Sequence, residues 1–402
     1  SLQPIFGLCK LLWLKQNEPE AFARTVRWLN IADYIAFRLC GVPATDHSLA
    51  SRTLALDLHR LRWDEGIIRD ASIDPALFAP LVPSGTRLDT VTPEARRETG
   101  LPETTAVSAG GHDHVCGALA TGVIEPGRML NSLGTAEAEF LPLAQPVSDP
   151  ALGRQGFTQG AHVVPGRYYV FGGQYTSGGS VNWMVDLIDP EGDYTTLITE
   201  ASKAPPGSQG ACFLPHLRLA NPPYDDPRSR AAFVGLTADV RRGDLARSVL
   251  EGMAFEARNS LDALVTFDGV GAPRQIIVIG GSTQNALLMQ IKASVYGQPL
   301  HVAEVEEATT HGAAILGGIG AGVYTDATDA LRQLPDGHTT VEPVEAWVKP
   351  YDAIFRNVYQ RLYPALRSLN HAIHDLQAEP RPDQPPAARC SSKHTTSSRA
   401  SG

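Results

Sequence analysis

A carboxylate that follows a short strand and a glycine pair is the strongest candidate for chemistry. Residues 105–109 predict the strand, and the sequence G-G-H-D-H occupies positions 110–114 directly after it. A carboxylate at the end of a strand lies at the edge of a cleft, where Asp113 could accept a proton from a hydroxyl. The same residue could instead cap the helix that follows, and the spacing alone leaves both roles open.

Two histidines flank this carboxylate and allow a different chemistry. Alternate residues of a strand face the same side, so His112 and His114 could bind a metal together. A metal hydrolase would need further His and Asp ligands after later strands, and no second His cluster follows an apolar strand. The metal hydrolase is therefore the weaker alternative, and we predict no metal-binding residues.

Two turns rich in glycine and hydroxyl groups could hold a phosphate. The turn N-S-L-G-T at 131–135 can point backbone N–H groups and the Thr135 hydroxyl at an anion, although a simple hairpin turn has the same composition. Gly281, Ser282 and Asn285 follow a strand, and Ser282 predicts the N-cap of the next helix, a position that suits a nucleotide. Neither a P-loop nor a Rossmann glycine pattern is present.

Composition limits the class of protein. The chain has 402 residues and a net charge of −9, which argues against nucleic-acid binding. No apolar run reaches the ~18 residues of a membrane span. The five cysteines are scattered and form no C-x-x-C pair, which is typical of reduced thiols in the cytoplasm.

The elements that must position these residues repeat along the chain. The β-rich runs at 105–109, 168–171 and 275–279 each end at a Gly-Gly pair, and at least two of them lead directly into a helix. This repetition predicts two related α/β halves that aim strand ends and helix N-termini at a shared cleft.

Caps and apolar spacing predict further helices. Asp244 predicts the N-cap of a long helix. Tyr34, Ile35 and Leu39 recur at helical spacing, so we expect them to face the core. The small residues at 311–318 predict a helix whose backbone can lie close to a neighbour.

The order of these motifs resembles the FGGY family of carbohydrate kinases. Residues 231–251 match the family's second signature at every position, and residues 10–17 resemble the second half of its first signature, with departures at Ile5 and Gly7. The other matching segments are T-D at 45–46, A-S-R-T at 50–53, G-G-H-D at 110–113, S-L-G-T at 132–135, residues 178–183 and G-G-S-T-Q-N at 280–285. These motifs occur in the family's order.

The resemblance implies an α/β, actin-like fold in which two ribonuclease-H-like domains close on a cleft, with sugar on one side and ATP on the other. It implies an N-terminal domain at 1–128, a C-terminal domain at 129–346 and a helix at 347–378 packed on the domains. The Pro-, Ser- and Thr-rich composition of 379–402 predicts a disordered tail.

The resemblance also implies roles for individual residues. It makes Asp113 the catalytic base and places Trp13, His47 and His112 at the substrate, although Trp13 could simply be a core residue. His47 stands where glycerol kinases place a Tyr, so we expect a ketose such as a pentulose rather than glycerol. The residues implied to bind nucleotide and phosphate are Gly134, Thr135, Gly178, Asn182, Gly281, Ser282 and Asn285.

We expect the first domain to be incomplete. The chain begins with Ser1 in what reads as the middle of a domain, and the family's D-x-G-T strand, which holds phosphate and magnesium, is expected before it. The resemblance implies ATP and Mg²⁺ as cofactors, a sugar or polyol substrate, and no nucleic-acid or membrane partner, and it leaves a homodimer open. Without that strand we expect this chain to be at best a very poor kinase. The alternative from another class is a non-catalytic, actin-like nucleotide-binding remnant.

Overall fold

Short elements make up the first part of the chain. The computed structural model describes residues 5–188, 193–334 and 337–378, so the predicted tail at 379–402 lies outside the described residues. Each sheet formed among the described residues before position 121 has two strands. The elements of this part are α1 (Gly7–Asn17), α2 (Pro19–Ala23), α3 (Ile31–Cys40), β1 (Thr45–Asp46), α4 (His47–Ala50), β2 (Leu56–Asp57), β3 (Arg62–Trp63), α5 (Glu65–Asp70), β4 (Leu81–Val82), β5 (Arg87–Thr90), α6 (Pro93–Thr99), β6 (Ala106–Ser108) and α7 (Asp113–Ala120).

Longer strands and helices follow. The elements of the second part are β7 (Arg128–Leu133), β8 (Glu137–Leu143), α8 (Ala151–Arg154), β9 (Thr158–Ala161), β10 (Tyr168–Gln174), α9 (Gly178–Ile188), α10 (Tyr194–Lys203), β11 (Cys212–Leu214), β12 (Ala232–Val234), α11 (Arg242–Leu264), β13 (Gln275–Ile279), α12 (Ala286–Tyr296), β14 (Leu300–Ala303), α13 (Ala308–Gly320), α14 (Ala327–Gln333), β15 (His338–Val341), α15 (Glu345–Ile354) and α16 (Gln360–Ala378). A π-helical turn at Phe355–Tyr359 joins the last two helices.

A seven-stranded sheet of mixed direction organises this second part. Its strand order is β15-β14-β13-β7-β8-β10-β9, and β13 runs parallel to both of its neighbours. Gln275 pairs with Arg128 and Ile279 pairs with Ser132, so β7 and β13 end side by side. The turns that follow these two strands are therefore held at the same edge of the sheet.

The sheet is buried on both faces. Successive residues of a strand point to opposite faces, and accordingly Met129 and Ile276 join one apolar cluster while Leu130 and Ile277 join another. Helix α11 packs on the first face, where Phe255 is almost completely buried. Helices α7 and α13 cover the second face.

Helix α7 and helix α13 pack closely because their contact is made of small residues. A Cβ atom at Gly312 would overlap the backbone of Cys116 in α7. The predicted close approach of the small-residue helix at 311–318 is thus confirmed, and its neighbour is the helix that begins at Asp113. Thr309 Oγ1 also donates a hydrogen bond to the Asp113 carbonyl at 3.4 Å.

Three local predictions are wrong. Tyr34 and Ile35 are 46% and 55% exposed on α3, so they do not face the core. Asp244 is the third residue of α11, and its carboxylate accepts a hydrogen bond from the backbone N–H of the N-cap residue Arg241 at 2.8 Å. Ser282 lies in a short 3-10 turn, and Asn285 is the residue that caps α12.

The part of the chain that the structure describes contains neither a membrane-spanning helix nor a disulfide. None of the helices in the described part has the length and apolar character that crossing a membrane requires. The thiols of Cys9, Cys40, Cys116 and Cys212 are unpaired, and Cys390 lies outside the described residues.

Candidate active site

Asp113 is the first residue of helix α7. The chain leaves β6 through Gly110 and Gly111, and His112 takes the N-cap position with an extended backbone. A Cβ atom at Gly111 would overlap the Val163 side chain, so the tight path before the helix needs glycine there. The Asp113 side chain is 64% exposed and free to meet a substrate, because the N-cap position belongs to its neighbour.

Two imidazoles surround the Asp113 carboxylate. His114 Nδ1 lies 3.1 Å and His112 Nδ1 lies 3.2 Å from Asp113 Oδ1. The hydrogen bond from His114, followed by the charges of the two rings, holds the pKa of Asp113 well below its usual range. Burial lowers the pKa of His112 to about 4, so this ring is neutral at physiological pH. Asp113 is therefore an ionised but weak base.

A buried carboxylate fixes the backbone just before α7. Asp46 Oδ2 accepts hydrogen bonds from Ser48 Oγ and Ser84 Oγ, both at 2.6 Å. Ser48 Oγ in turn accepts a hydrogen bond from the His112 N–H at 2.8 Å. His47, which we predicted at the substrate, begins α4 beside this link, and partial burial lowers its pKa.

Two adjoining cavities form a cleft next to these residues. The smaller has a volume of about 190 Å³ and is lined by Asp113, and the larger has a volume of about 300 Å³ and is lined by Gly134. Arg52, His114 and Phe171 line both cavities. A hydroxyl bound at the carboxylate and a phosphate bound at the glycine turn would therefore be neighbours.

Arg52 is a site residue that our sequence analysis did not single out. Its Nη1 atom donates a hydrogen bond to Thr158 Oγ1 at 3.3 Å, and its guanidinium lies 4.9 Å from the centre of the Phe6 ring. A guanidinium between two cavities can neutralise a phosphoryl group or bind a sugar oxygen. The signal was present in the A-S-R-T motif at 50–53, which we used for the resemblance alone.

Three of the predicted phosphate-binding segments meet at the edge of the sheet. The hairpin turn between β7 and β8 carries Gly134 and Thr135, both exposed. The Gly178 N–H, at the start of α9, donates to the Gly134 carbonyl at 3.0 Å. A Cβ atom at Gly178 would lie 2.6 Å from that oxygen and 3.0 Å from Ser282 Oγ. The hairpin turn that we left as an alternative is therefore also the turn that borders the cleft.

The other predicted nucleotide residues differ in how open they are. A Cβ atom at Gly281 would meet no heavy atom within 4 Å, so this backbone is open to a ligand. Asn182 is exposed on α9. Asn285 is 7% exposed and its side chain is engaged, because Oδ1 accepts from the Leu288 N–H at 3.0 Å and Nδ2 donates to the Tyr194 hydroxyl at 2.9 Å.

Trp13 lies apart from these groups. Its side chain is 57% exposed on α1, and it lines neither of the two cavities. The core alternative for Trp13 is wrong, and contact with the substrate stays a prediction.

A buried ion pair supports the glycine turn, and no local sequence pattern indicates it. Glu137 Oε1 accepts hydrogen bonds from Lys292 Nζ at 2.6 Å and Asn131 Nδ2 at 2.8 Å. Its Oε2 accepts from Gln174 Nε2 and Ser177 Oγ, both at 3.0 Å. The lysine and the carboxylate are 155 positions apart in sequence, so only the folded chain brings them together.

Glu139, on the same strand, is a second buried carboxyl group. It is fully buried and accepts a hydrogen bond from the Tyr296 hydroxyl at 3.2 Å. Burial, followed by the charge of Glu137, raises the pKa of Glu139 to about 8. Glu139 is therefore largely protonated at neutral pH.

The described residues fit a nucleotide better than a protein-bound Mg²⁺. Glycines at 134, 178 and 281 have no side chain that would keep phosphate oxygens away from the backbone N–H groups. The group of three candidate metal ligands found among the described residues is His112, Asp113 and His114. Mg²⁺ prefers oxygen ligands, so this set does not fit it and no chemical step is assigned to Mg²⁺.

Models of a known protein family match most of the chain. The model of the N-terminal domain of the FGGY family of carbohydrate kinases matches residues 1–120, and the model of the C-terminal domain matches residues 129–321. The expectation of an incomplete first domain is not confirmed, because the match to the N-terminal model begins at residue 1.

Relatives and a solved structure extend this similarity. The xylulose kinase of Bacillus subtilis (strain 168) is 28% identical over 369 residues, which cover 92% of this chain and 72% of the relative. The xylulose kinase of Escherichia coli (strain K12) is 29% identical over 372 residues, which cover 91% and 75%. The crystal structure of the xylulose kinase from Rhodospirillum rubrum matches with a TM-score of 0.83 and 28% identity, covering 92% of this chain and 74% of that one.

These similarities decide between the alternatives that the sequence left open. They confirm the two-domain actin-like fold and a carbohydrate kinase. They do not support the expected loss of activity or the non-catalytic remnant, since the matched relatives are kinases over nearly the whole of this chain. They give no support to a metal hydrolase.

Proposed function

The chain belongs to the FGGY family of carbohydrate kinases, and from this premise we propose that it transfers the terminal phosphoryl group of ATP to a hydroxyl of a pentulose. The observation that carries the proposal is the pair of adjoining cavities. Asp113 lines one, Gly134 lines the other, and Arg52 lies in the wall of both. An acceptor hydroxyl and a phosphoryl donor bound there would face each other.

Asp113 acts on the acceptor. Its ionised carboxylate accepts a hydrogen bond from the sugar hydroxyl and orients the oxygen toward the terminal phosphorus. The new O–P bond forms as the bond from that phosphorus to the leaving ADP oxygen breaks, and the hydroxyl proton passes to Asp113. Because the pKa of Asp113 is low, the proton moves late, when bond formation has made the hydroxyl acidic. A loose transition state of this kind is typical of phosphoryl transfer.

The glycine turn acts on the donor. The exposed backbone at Gly134 and Thr135 and the Thr135 hydroxyl can meet charge on the phosphoryl oxygens. Gly178, Asn182, Gly281 and Ser282 border the rest of the ATP molecule, where Gly281 leaves room for close approach. Arg52 supplies a positive charge from the protein itself.

The choice of a pentulose rests on the relatives. The matched proteins from B. subtilis and E. coli are xylulose kinases. Within this proposal, His112 and His47 contact the sugar next to Asp113, and Trp13 contacts it from α1. The ring of His112 is neutral at physiological pH, so it can exchange hydrogen bonds with a sugar hydroxyl without adding charge.

A substrate panel tests this function. The 402-residue chain is assayed for ADP formation with ATP and, separately, xylulose, ribulose, fructose, gluconate and glycerol. We expect the highest kcat/KM with a pentulose, and phosphorus NMR of the product should show a sugar phosphate ester. ADP release that is equal with every sugar and without sugar would contradict the proposal, because it would indicate hydrolysis rather than transfer.

A further inference from the structure

Three consecutive side chains at the start of α7 place three potential metal ligands next to one another. His112 Nδ1 and His114 Nδ1 lie 3.2 Å and 3.1 Å from Asp113 Oδ1. The ligand atoms of the three residues all lie within 4.8 Å of one another. Among the described residues, no other group of three His, Cys, Asp or Glu side chains is arranged in this way.

These distances agree with tetrahedral coordination. Zinc binds imidazole nitrogen and carboxylate oxygen at about 2.0–2.2 Å, so two ligand atoms of a tetrahedral site are roughly 3.3 Å apart. The two distances from Asp113 Oδ1 already have this value within about 0.2 Å. The ligand nitrogens of the two rings lie within 4.8 Å of each other, and the His114 ring, which is partly exposed, can rotate to shorten this distance.

The state of the His112 ring points to the same conclusion. Its Nδ1 atom is buried and makes no hydrogen bond of acceptable geometry. The backbone N–H of His112 donates a hydrogen bond to Ser48 Oγ at 2.8 Å, and this bond fixes the backbone that carries the ring. A buried nitrogen without a hydrogen bond is costly, and binding of a metal ion by His112 Nδ1 would remove this cost.

The nature of the ligands selects the ion. Two imidazoles and one carboxylate suit Zn²⁺ and its neighbours in the first transition row, whereas Mg²⁺ prefers oxygen ligands and octahedral geometry. The fourth position of the site opens toward the cleft, because the Asp113 side chain is 64% exposed. The Arg52 guanidinium lines the same cavity, and its positive charge repels a cation. This repulsion lowers the affinity for Zn²⁺ but leaves all three ligands in place.

We propose that His112, Asp113 and His114 form a binding site for Zn²⁺ that switches the kinase off. The ion takes the Asp113 oxygen that would otherwise accept the proton of the sugar hydroxyl. Both rings bind the ion through Nδ1 and carry their proton on Nε2, so the proton that His114 Nδ1 shares with Asp113 in the free protein passes to water while Nε2 takes one from water. The inhibitory effect rests on the proposed function, whereas the binding itself does not. Zinc therefore competes with the sugar and leaves the ATP side of the cleft free.

Binding is measured first, without ATP or sugar. Zn²⁺ is titrated into the full chain by calorimetry, and Co²⁺ is used as a coloured substitute whose visible absorption reports tetrahedral coordination. We expect His114→Gln to weaken Zn²⁺ binding at least tenfold and to abolish the tetrahedral Co²⁺ spectrum. Because His112 is mostly buried, His114→Gln is the main variant and His112→Gln is a second one, used if it keeps the wild-type circular dichroism.

A second pair of histidines supplies the matched control. The rings of His301 and His338 are 4.9 Å apart on the far strands of the sheet, and these residues line neither cavity of the cleft. His338→Gln should keep the wild-type affinity of the tetrahedral site. An equal Zn²⁺ affinity in His114→Gln and the wild type, or a loss in His338→Gln instead, would overturn the proposed site.

Inhibition is measured second. We expect added Zn²⁺ to raise the apparent KM for the sugar at least tenfold in the wild type and in His338→Gln, with little change in the KM for ATP. If Zn²⁺ binds at the tetrahedral site but does not inhibit sugar phosphorylation by an active kinase, the proposed inhibitory role of the site is wrong. Failure of sugar phosphorylation without any zinc present would count against the proposed function alone, because the binding measurement does not depend on turnover.

Discussion

Asp113 and Glu137 are two carboxylates on the same cleft with opposite environments. The Asp113 side chain is 64% exposed at a helix start and is held by imidazoles. Glu137 is 4% exposed and receives four hydrogen bonds, one of them from Lys292. The first can reach a substrate, and the second holds together the strands that carry the glycine turn. Exposure rather than residue type therefore separates a chemical role from a supporting one.

Removing the partner of the buried carboxylate should have the largest effect. Lys292→Met leaves Glu137 without its positive partner in the interior, and such a loss costs about 3–5 kcal/mol of the free energy of unfolding. Urea unfolding followed by circular dichroism measures it. The double variant Glu137→Gln with Lys292→Met serves as the control, and it should recover part of the loss because no lone charge remains. A loss under about 1 kcal/mol in the single variant would mean that the pair does not support the turn.

The second prediction concerns the neighbouring carboxyl, Glu139. Its pKa rises from 4.5 in the unfolded chain to about 8 in the folded protein. The stabilisation is complete below the lower value and is lost as pH rises through the upper one, since only the folded state holds the proton in between. Each pH unit within this window changes the free energy of unfolding by about 1.4 kcal/mol. Between pH 6 and pH 7.5 the wild type should therefore lose about 2 kcal/mol relative to Glu139→Gln. Parallel stability curves for the two proteins would show that Glu139 does not titrate in this window.

The smallest of these effects is expected on nucleotide binding. Gly281→Val adds a side chain where the backbone is open to the cleft, so we expect ADP affinity to fall at least ~10-fold, or about 1.4 kcal/mol. Calorimetric titration with ADP measures this. Gly317→Ala in α13, where a Cβ would also meet no heavy atom, is a control for adding bulk outside the cleft. Unchanged ADP affinity in Gly281→Val would mean that the nucleotide lies elsewhere.

Local sequence patterns were sufficient for the parts of the site built from consecutive residues. The strand at 275–279 has the predicted bounds, and Asp113 follows its strand and glycine pair at a helix start, as expected. The predicted Gly134, Gly178 and Ser282 are in contact distance because β7 and β13 end side by side. Each of these features depends on the end of a strand or on a glycine, and both can be recognised from the local sequence.

Features that depend on tertiary contact could not be predicted. Glu137 and Lys292 read as ordinary charged residues until the sheet brings them together. Tyr34 and Ile35 have the spacing of a core face, yet they are exposed because no described element covers that side of α3. Ser282 looked like a helix cap, but a 3-10 turn moves the start of α12 to the residue after Asn285.

Asp113→Asn tests the central claim most directly, because it removes the base and leaves the shape of the side chain. Single-turnover phosphoryl transfer is measured by rapid quench with the pentulose that the wild type phosphorylates fastest. We predict a rate at least ~10²-fold lower, as expected for a lost general base. ADP affinity should be unchanged, and the circular dichroism of the variant should match that of the wild type, since the side chain is largely exposed. A transfer rate equal to that of the wild type, in a protein that folds and binds ADP normally, would contradict the assignment of Asp113 as the base.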